Sequence, residues 1–212
     1  MKKLGNVFLL GDSYSTFEDW IPDGFWTWYF KDQRTGTDVK SVKETWWYQL
    51  LDETDSNLIL NCSYSGTTIC NKGKDGVDCS KISFVGRFDR LIQDGFFNGK
   101  EINTLLIFGG TNDSWLDSPI GFLKYENWQQ SDLDASIPAF CYLLQRVKEV
   151  CKTARIIYIL NTGIKTELMD GYISACRHYS VDCIQLNNID KIKGHPSVHG
   201  MQQIKEQVIS FI

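Results

Sequence analysis

The chain has 212 residues, 42% hydrophobic and 23% charged, with a net charge of −4. That length accommodates one domain with a sizeable core and is short for two, so a single domain over residues 1–212 is expected. The acidic balance leaves no basic face to collect phosphates, which argues against nucleic acid as a partner, and no apolar run reaches the length of a membrane span.

The opening residues, Met1 to Ser13, carry two lysines and a short apolar run, a faint likeness to a secretion signal. The run is too short and lacks a small-residue cleavage site, so it reads as the first strand of a cytoplasmic protein, although a signal removed upstream would be compatible with it. Seven cysteines stand at 62, 70, 79, 141, 151, 176 and 183 with no CxxC pair, so neither a zinc knot nor a redox motif is expected. They read as reduced, mostly buried thiols. A bridge between Cys62 and Cys70 or between Cys70 and Cys79 is the alternative in a secreted protein.

The first apolar run, Val7–Leu10, stops abruptly at Gly11-Asp12-Ser13. A plain β-to-α turn uses the same residues, glycine for the bend and Asp or Ser as a helix cap. The segment from about 14 to 40 is rich in aromatics, among them Trp20, Phe25, Trp26, Trp28, Tyr29 and Phe30, and reads as a loop that either lines a cleft or packs as core. Ser41 and Glu44 form a capping box, followed by Trp46, Leu50 and Leu51 on one helical face.

Further β-type runs follow at Leu58–Leu60, Thr104–Phe108, Arg155–Leu160 and Cys183–Leu186. Between them lie the helical patterns FVGRFDRLIQ, SIPAFCYLLQRVKEVCK and GIKTELMDGYISACRHY, and SVHGMQQIKEQVISFI closes the chain. The segment from about 67 to 82 is too irregular for the scaffold and reads as a second loop over the same edge. Strand alternating with helix predicts an α/β fold, a three-layer α/β/α sandwich around a central five-stranded parallel sheet.

In such folds ligands bind beyond the carboxyl ends of the strands. The strand ends deliver Ser13, then Gly66, then Asn112 within Gly109-Gly110-Thr111-Asn112-Asp113, and the last connection carries His195 and His199. Acyl transfer needs these types. A serine hydroxyl is a weak nucleophile without an adjacent base, and histidine titrates near neutrality. Backbone N–H groups at Ser13 and Gly66 and the amide of Asn112 would face the oxyanion of a tetrahedral intermediate. Trp20, Trp26, Trp28 and Trp115 are candidate substrate-stacking residues. Asp12 and Asp113 read as loop braces; no histidine–carboxylate spacing supports a metal, and no cofactor is expected. His199 reads as a surface or cleft-lining residue, and His178 as a favourable charge at a helix end.

FLLGDSYS, Gly66, GGTND and GHPSVHGM resemble the four sequence blocks of the SGNH, or GDSL-type, hydrolase superfamily, over residues 7 to about 208. The resemblance implies a flavodoxin-like fold, hydrolysis of esters or thioesters without a metal, Ser13 as nucleophile, His195 as base, and Ser13 N–H, Gly66 and Asn112 as the oxyanion hole. One departure stands out. The family usually places Asp three residues before the histidine, and here that residue is Ile192. Asp190, five residues before His195, could reach the imidazole; a backbone carbonyl in the KIKG stretch could serve instead, leaving a Ser-His dyad; or the site has decayed. The carbonyl is favoured slightly. Losing the orienting carboxylate costs about four orders of magnitude in a protease triad. The expected activity is removal of acetyl or other short acyl groups from carbohydrate esters through an acyl-serine. Lipase-like or thioesterase activity, or a non-catalytic carbohydrate-binding protein on this fold, are the alternatives, and oligomeric state is left open.

Overall fold

The computed structural model describes residues 3–32 and 35–212. Five parallel strands form the central sheet: β1 (Asn6–Gly11), β2 (Asn57–Ser63), β3 (Thr104–Phe108), β4 (Arg155–Leu160) and β5 (Asp182–Gln185), in the order β2-β1-β3-β4-β5. The helices are α1 (Trp46–Glu53), α2 (Phe84–Gln93), α3 (Thr111–Trp115), α4 (Ser136–Val150), α5 (Thr166–Tyr179) and α6 (Val198–Phe211). A short antiparallel hairpin, β6 (Lys191–Ile192) with β7 (His195–Pro196), precedes α6.

Strand side chains alternate between the two faces of a sheet, and a sheet covered on both faces needs near-continuous apolar strands. The central strands show this division. Phe8, Leu10, Leu105, Ile107, Tyr158 and Leu160 pack on the face covered by α2, α4 and α5. Val7, Leu9, Leu106, Phe108, Ile157 and Ile159 pack on the face covered by α1 and α6. The result is the three-layer sandwich.

Of the boundaries that differ from the sequence reading, two have a clear physical cause. β2 runs to Ser63, beyond the apolar run, because its polar residues find partners: Asn61 Nδ2 donates to Ser15 O at 2.8 Å and Ser63 Oγ to Asn61 Oδ1 at 2.5 Å. The capping box of Ser41 and Glu44 is formed, but it opens a 3-10 turn over Val42–Glu44, and α1 starts afterwards at Trp46. All seven cysteines are free thiols, five of them buried. Among the described residues no helix is long and apolar enough to cross a membrane.

After β1 the chain passes to β2 on one side, and β3 then joins β1 on the other. The order reverses there, which opens a crevice beyond the carboxyl ends of β1 and β3. Ser13 follows β1 and Asn112 follows β3.

Candidate active site

Gly11 ends β1 where a Cβ would collide with Ser63 Oγ and the Ser15 side chain, so only glycine allows the turn into Asp12 and Ser13. Ser13–Ser15 forms a 3-10 turn capped by Asp12, whose Oδ1 accepts the Tyr14 N–H at 3.1 Å. Ser13 Oγ stands 3.0 Å from His195 Nε2, both residues being nearly buried. That is hydrogen-bond reach for transfer of the serine proton.

His195 sits on the hairpin, directly opposite Ile192 in the β6–β7 register. Lys193 and Gly194 both adopt positive φ, +49° and +82°, the backbone of the tight two-residue turn that matches strand twist. The carbonyls flanking His195 are tied down by two tyrosines: Tyr14 Oη donates to Gly194 O at 2.5 Å and Tyr29 Oη to Pro196 O at 2.9 Å. His195 Nδ1 faces Lys193 O at 3.4 Å, a long contact for a hydrogen bond. The Asp190 carboxylate instead accepts the Ser197 hydroxyl. The carbonyl is the acceptor that the sequence reading placed slightly ahead of Asp190; among the described residues the Asp190 carboxylate is held by Ser197.

Asn112, in the first turn of α3, donates from Nδ2 to Thr67 O at 2.9 Å. An amide nitrogen carries two hydrogens, so a second donor remains for a ligand. The same bond ties Asn112 to the turn at Gly66. Gly66 is exposed, at φ +77°, with open space where a side chain would begin, so a substrate can approach its backbone closely.

Asp12 and Asp113 are fully buried. Asp113 braces the loop after β2, accepting Ile69 N–H at 2.8 Å and Cys70 N–H at 3.3 Å. Burial pushes the Asp12 carboxyl up to about 7, against the lowering effects of the Tyr14 N–H and the Arg87 guanidinium. Its Oδ2 has no hydrogen-bond partner among the described residues. Arg87, also buried, donates to the carbonyls of Gly11 (3.1 Å), Cys62 and Ile82 (2.9 Å) and to Thr67 Oγ1 (3.2 Å), joining the ends of β1 and β2. Lys191 Nζ donates to Thr162 Oγ1 at 2.8 Å and lies 5.5 Å over the Tyr14 ring.

The four candidate tryptophans separate. Trp28 stacks flat on the His195 imidazole, 3.7 Å between centroids and 8° between planes. Trp115 stands at 78° to the same imidazole, 6.0 Å away, and is 44% exposed. Trp26 is 73% exposed, and its carbonyl accepts Ser65 N–H at 2.9 Å, next to Gly66. Trp20 does not join them. It packs on Trp47 and Tyr48 and lines a groove with Ser56, Asn57 and Leu58 at the start of β2, the opposite end of the sheet from Ser13. Aromatic attraction to α1 draws it there. His199 is exposed on α6, and His178 stacks on Tyr125 in the last turn of α5.

Sequence reasoning did not single out Tyr14 or Arg87, and named Tyr29 only among the aromatics of its loop. The only signal for the first is its place beside Ser13; the others act across loops, with no local pattern.

A parallel α/β/α sheet with this crevice and these strand-end residues has the architecture of an SGNH-type hydrolase. The sequence profile of GDSL-like Lipase/Acylhydrolase matches residues 5–212, and the chain belongs to that family of ester-bond hydrolases. It is similar to a crystal structure described as a GDSL-like lipase from Bacteroides ovatus ATCC 8483 (42% identity, 99% of this chain and 98% of that one, TM-score 0.91). A second, described likewise, from Bacteroides uniformis ATCC 8492, is 42% identical over 97% of this chain and 94% of that one, TM-score 0.90. An acetyl xylan esterase from Butyrivibrio proteoclasticus shares the fold at 14% identity, over 99% of this chain and 63% of that one, TM-score 0.59. No curated protein matches the chain.

Proposed function

We propose that this esterase removes acetyl or other short acyl groups from carbohydrate esters through an acyl-serine intermediate. The observation that carries the chemistry is the 3.0 Å approach of Ser13 Oγ to His195 Nε2 at the carboxyl edge of the sheet. In this reading His195 Nε2 takes the Ser13 proton as Oγ attacks the ester carbonyl carbon. The carbonyl electron pair moves onto its oxygen, where Ser13 N–H, Gly66 N–H and the second Asn112 amide hydrogen donate. The tetrahedral intermediate collapses, the C–O bond to the alcohol breaks, and the imidazolium gives its proton to the leaving oxygen. A water, deprotonated by His195, then attacks the acyl-serine and releases the acid, and the proton returns to Ser13.

The carbohydrate part rests on Trp26 and Trp115, large exposed rings beside the site that suit stacking on sugar rings. Trp115 also walls a groove of about 390 Å³ with Lys74, Asp75, Leu116, Asp117 and Pro119, whose polar groups can meet hydroxyls. The fold likeness to an acetyl xylan esterase agrees with it. The buried thiols suit a reducing compartment, consistent with a cytoplasmic location.

The test is hydrolysis of p-nitrophenyl esters from acetyl to octanoyl, and of acetylated oligosaccharides, by the wild type and Ser13→Ala. The expected result is fastest turnover of acetyl esters, release of acetate from the sugar, and loss of at least about a thousandfold in Ser13→Ala. Wild-type turnover by Ser13→Ala would overturn the mechanism; preference for octanoyl would overturn the substrate class.

A further inference from the structure

We infer that Trp28 is a positioning residue for His195, whose indole face holds the imidazole plane and stabilises the imidazolium formed when Ser13 is deprotonated. The inference rests on the reading of His195 as the base. The two rings are nearly parallel, 8° apart, with centroids 3.7 Å from one another. This is face-to-face contact, closer than a general aromatic neighbour requires.

The stack is built into the backbone on both sides. Trp28 N–H donates to Thr16 Oγ1 at 2.8 Å, and Thr16 Oγ1 donates in turn to Ser13 O at 3.0 Å. The indole is thereby tied to the turn that carries Ser13. The next residue, Tyr29, is fully buried and donates to Pro196 O, beside His195. The strand end with Ser13, the loop with Trp28 and the hairpin with His195 form one hydrogen-bonded unit. Trp115 at 6.0 Å and Tyr14 at 5.4 Å add two further aromatic neighbours of the imidazole.

The chemistry follows from charge. A cation over an indole face is attracted by the ring quadrupole, indole being the strongest of the aromatic side chains in this respect, and more so away from water. A neutral imidazole gains less. The stack therefore favours the protonated ring that exists only once reaction is under way, which is the condition for lowering a barrier. Lys193 O, 3.4 Å from Nδ1, brings only a partial charge. Residue 192, where the family usually has its acid, is isoleucine. Lys191 adds an ammonium over the Tyr14 ring, a like charge in the same cluster. Attraction from the indole face adds to the partial charge of the Lys193 carbonyl in favouring the cation.

The experiment replaces Trp28 site-specifically with mono-, di- and trifluorotryptophan, which keep its shape while weakening the ring quadrupole, alongside Trp28→Phe and Trp28→Leu. Steady-state hydrolysis of p-nitrophenyl acetate is the readout. Expected are a stepwise fall in kcat with each fluorine, KM constant within about twofold, a loss of roughly tenfold in Trp28→Leu, and a smaller loss in Trp28→Phe. A kcat that does not change across the fluorinated series overturns the inference, even where Trp28→Leu fails to fold. Ser13→Ala and His195→Ala are run in parallel. If both lack activity while the fluorinated series is flat, only the role of Trp28 falls. If His195→Ala turns over like the wild type, the reading of His195 as base falls, and the role of Trp28 with it.

Discussion

The carboxylate of Asp190 accepts the hydroxyl of Ser197, the residue that caps α6, and not an N–H of His195. Ser197 Oγ in turn accepts Gly200 N–H at 3.0 Å, and Asp190 N–H donates to Gln203 Oε1 at 2.7 Å. Asp190 is thus committed to the start of α6. Asp190→Asn keeps an oxygen acceptor for Ser197 and changes only the charge. Its kcat should stay within about tenfold of wild type in an ester hydrolysis assay. A thousandfold drop in a folded variant would return Asp190 to a triad.

Ser13 and Asn112 were legible as candidates because parallel strands buried on both faces are continuous apolar runs, so their carboxyl ends are conspicuous; His195 was legible from the His-Pro pair ahead of the last helical pattern. The choice made by Asp190 was not, because it depends on the cap geometry of Ser197 rather than on spacing to His195. Trp28 and Tyr29 belong to an irregular segment with no periodicity to say which way a ring points. The same gap misplaced Trp20, whose neighbours on α1 became known only with the fold. The hairpin itself was masked by a lysine at the first position of its tight turn, where Asn or Asp is the usual signal.

Asn112 joins two segments through Thr67 O, and its remaining amide hydrogen is the proposed oxyanion donor. Asn112→Ala should lower kcat by roughly a hundredfold or more, as for loss of one such donor. KM should change much less, and circular dichroism should show the fold retained. Unchanged turnover would remove Asn112 from the mechanism.

Asp12 gives a pH signature. Unfolded, its carboxyl ionises near 3.8; folded, burial raises it to about 7. Between these values the folded protein holds a proton that the unfolded chain has released, so stability falls as pH rises through that window. Below about 4 both states are protonated and the effect vanishes. Asp12→Asn mimics the neutral acid and keeps the acceptor for Tyr14 N–H. Its stability relative to wild type should therefore grow from pH 5 to pH 8, by a few kcal/mol at most. Thermal melts across that range measure it, and a gap independent of pH would show that Asp12 ionises normally.

Trp115 and Trp20 should separate by location. Trp115→Ala should weaken kcat/KM for an acetylated oligosaccharide by about tenfold while changing p-nitrophenyl acetate little, since only the sugar uses the ring. Trp20→Ala should lower Tm, because Trp20 packs on Trp47 and Tyr48, and leave the ratio of the two activities unchanged. Equal losses on both substrates in Trp115→Ala would make that ring structural.

Ile192 is the cross-strand partner of His195, and side chains at directly opposed positions of an antiparallel pair lie on the same face. Ile192→Asp therefore places a carboxylate beside the imidazole, at the spacing usual in the family. A full negative charge stabilises an imidazolium more than a carbonyl dipole does, so kcat should rise, by about threefold or more. Trp28 already supplies part of that stabilisation from the ring face, which limits the gain. In a Trp28→Leu background the same substitution should raise kcat by a larger factor, because the two contributions act on one charge and do not add independently. The four variants of this cycle, assayed on p-nitrophenyl acetate, measure the coupling. A fall in kcat for folded Ile192→Asp would show that the hairpin does not bring residue 192 to Nδ1, and equal factors in both backgrounds would show that Trp28 and the carboxylate act on different steps.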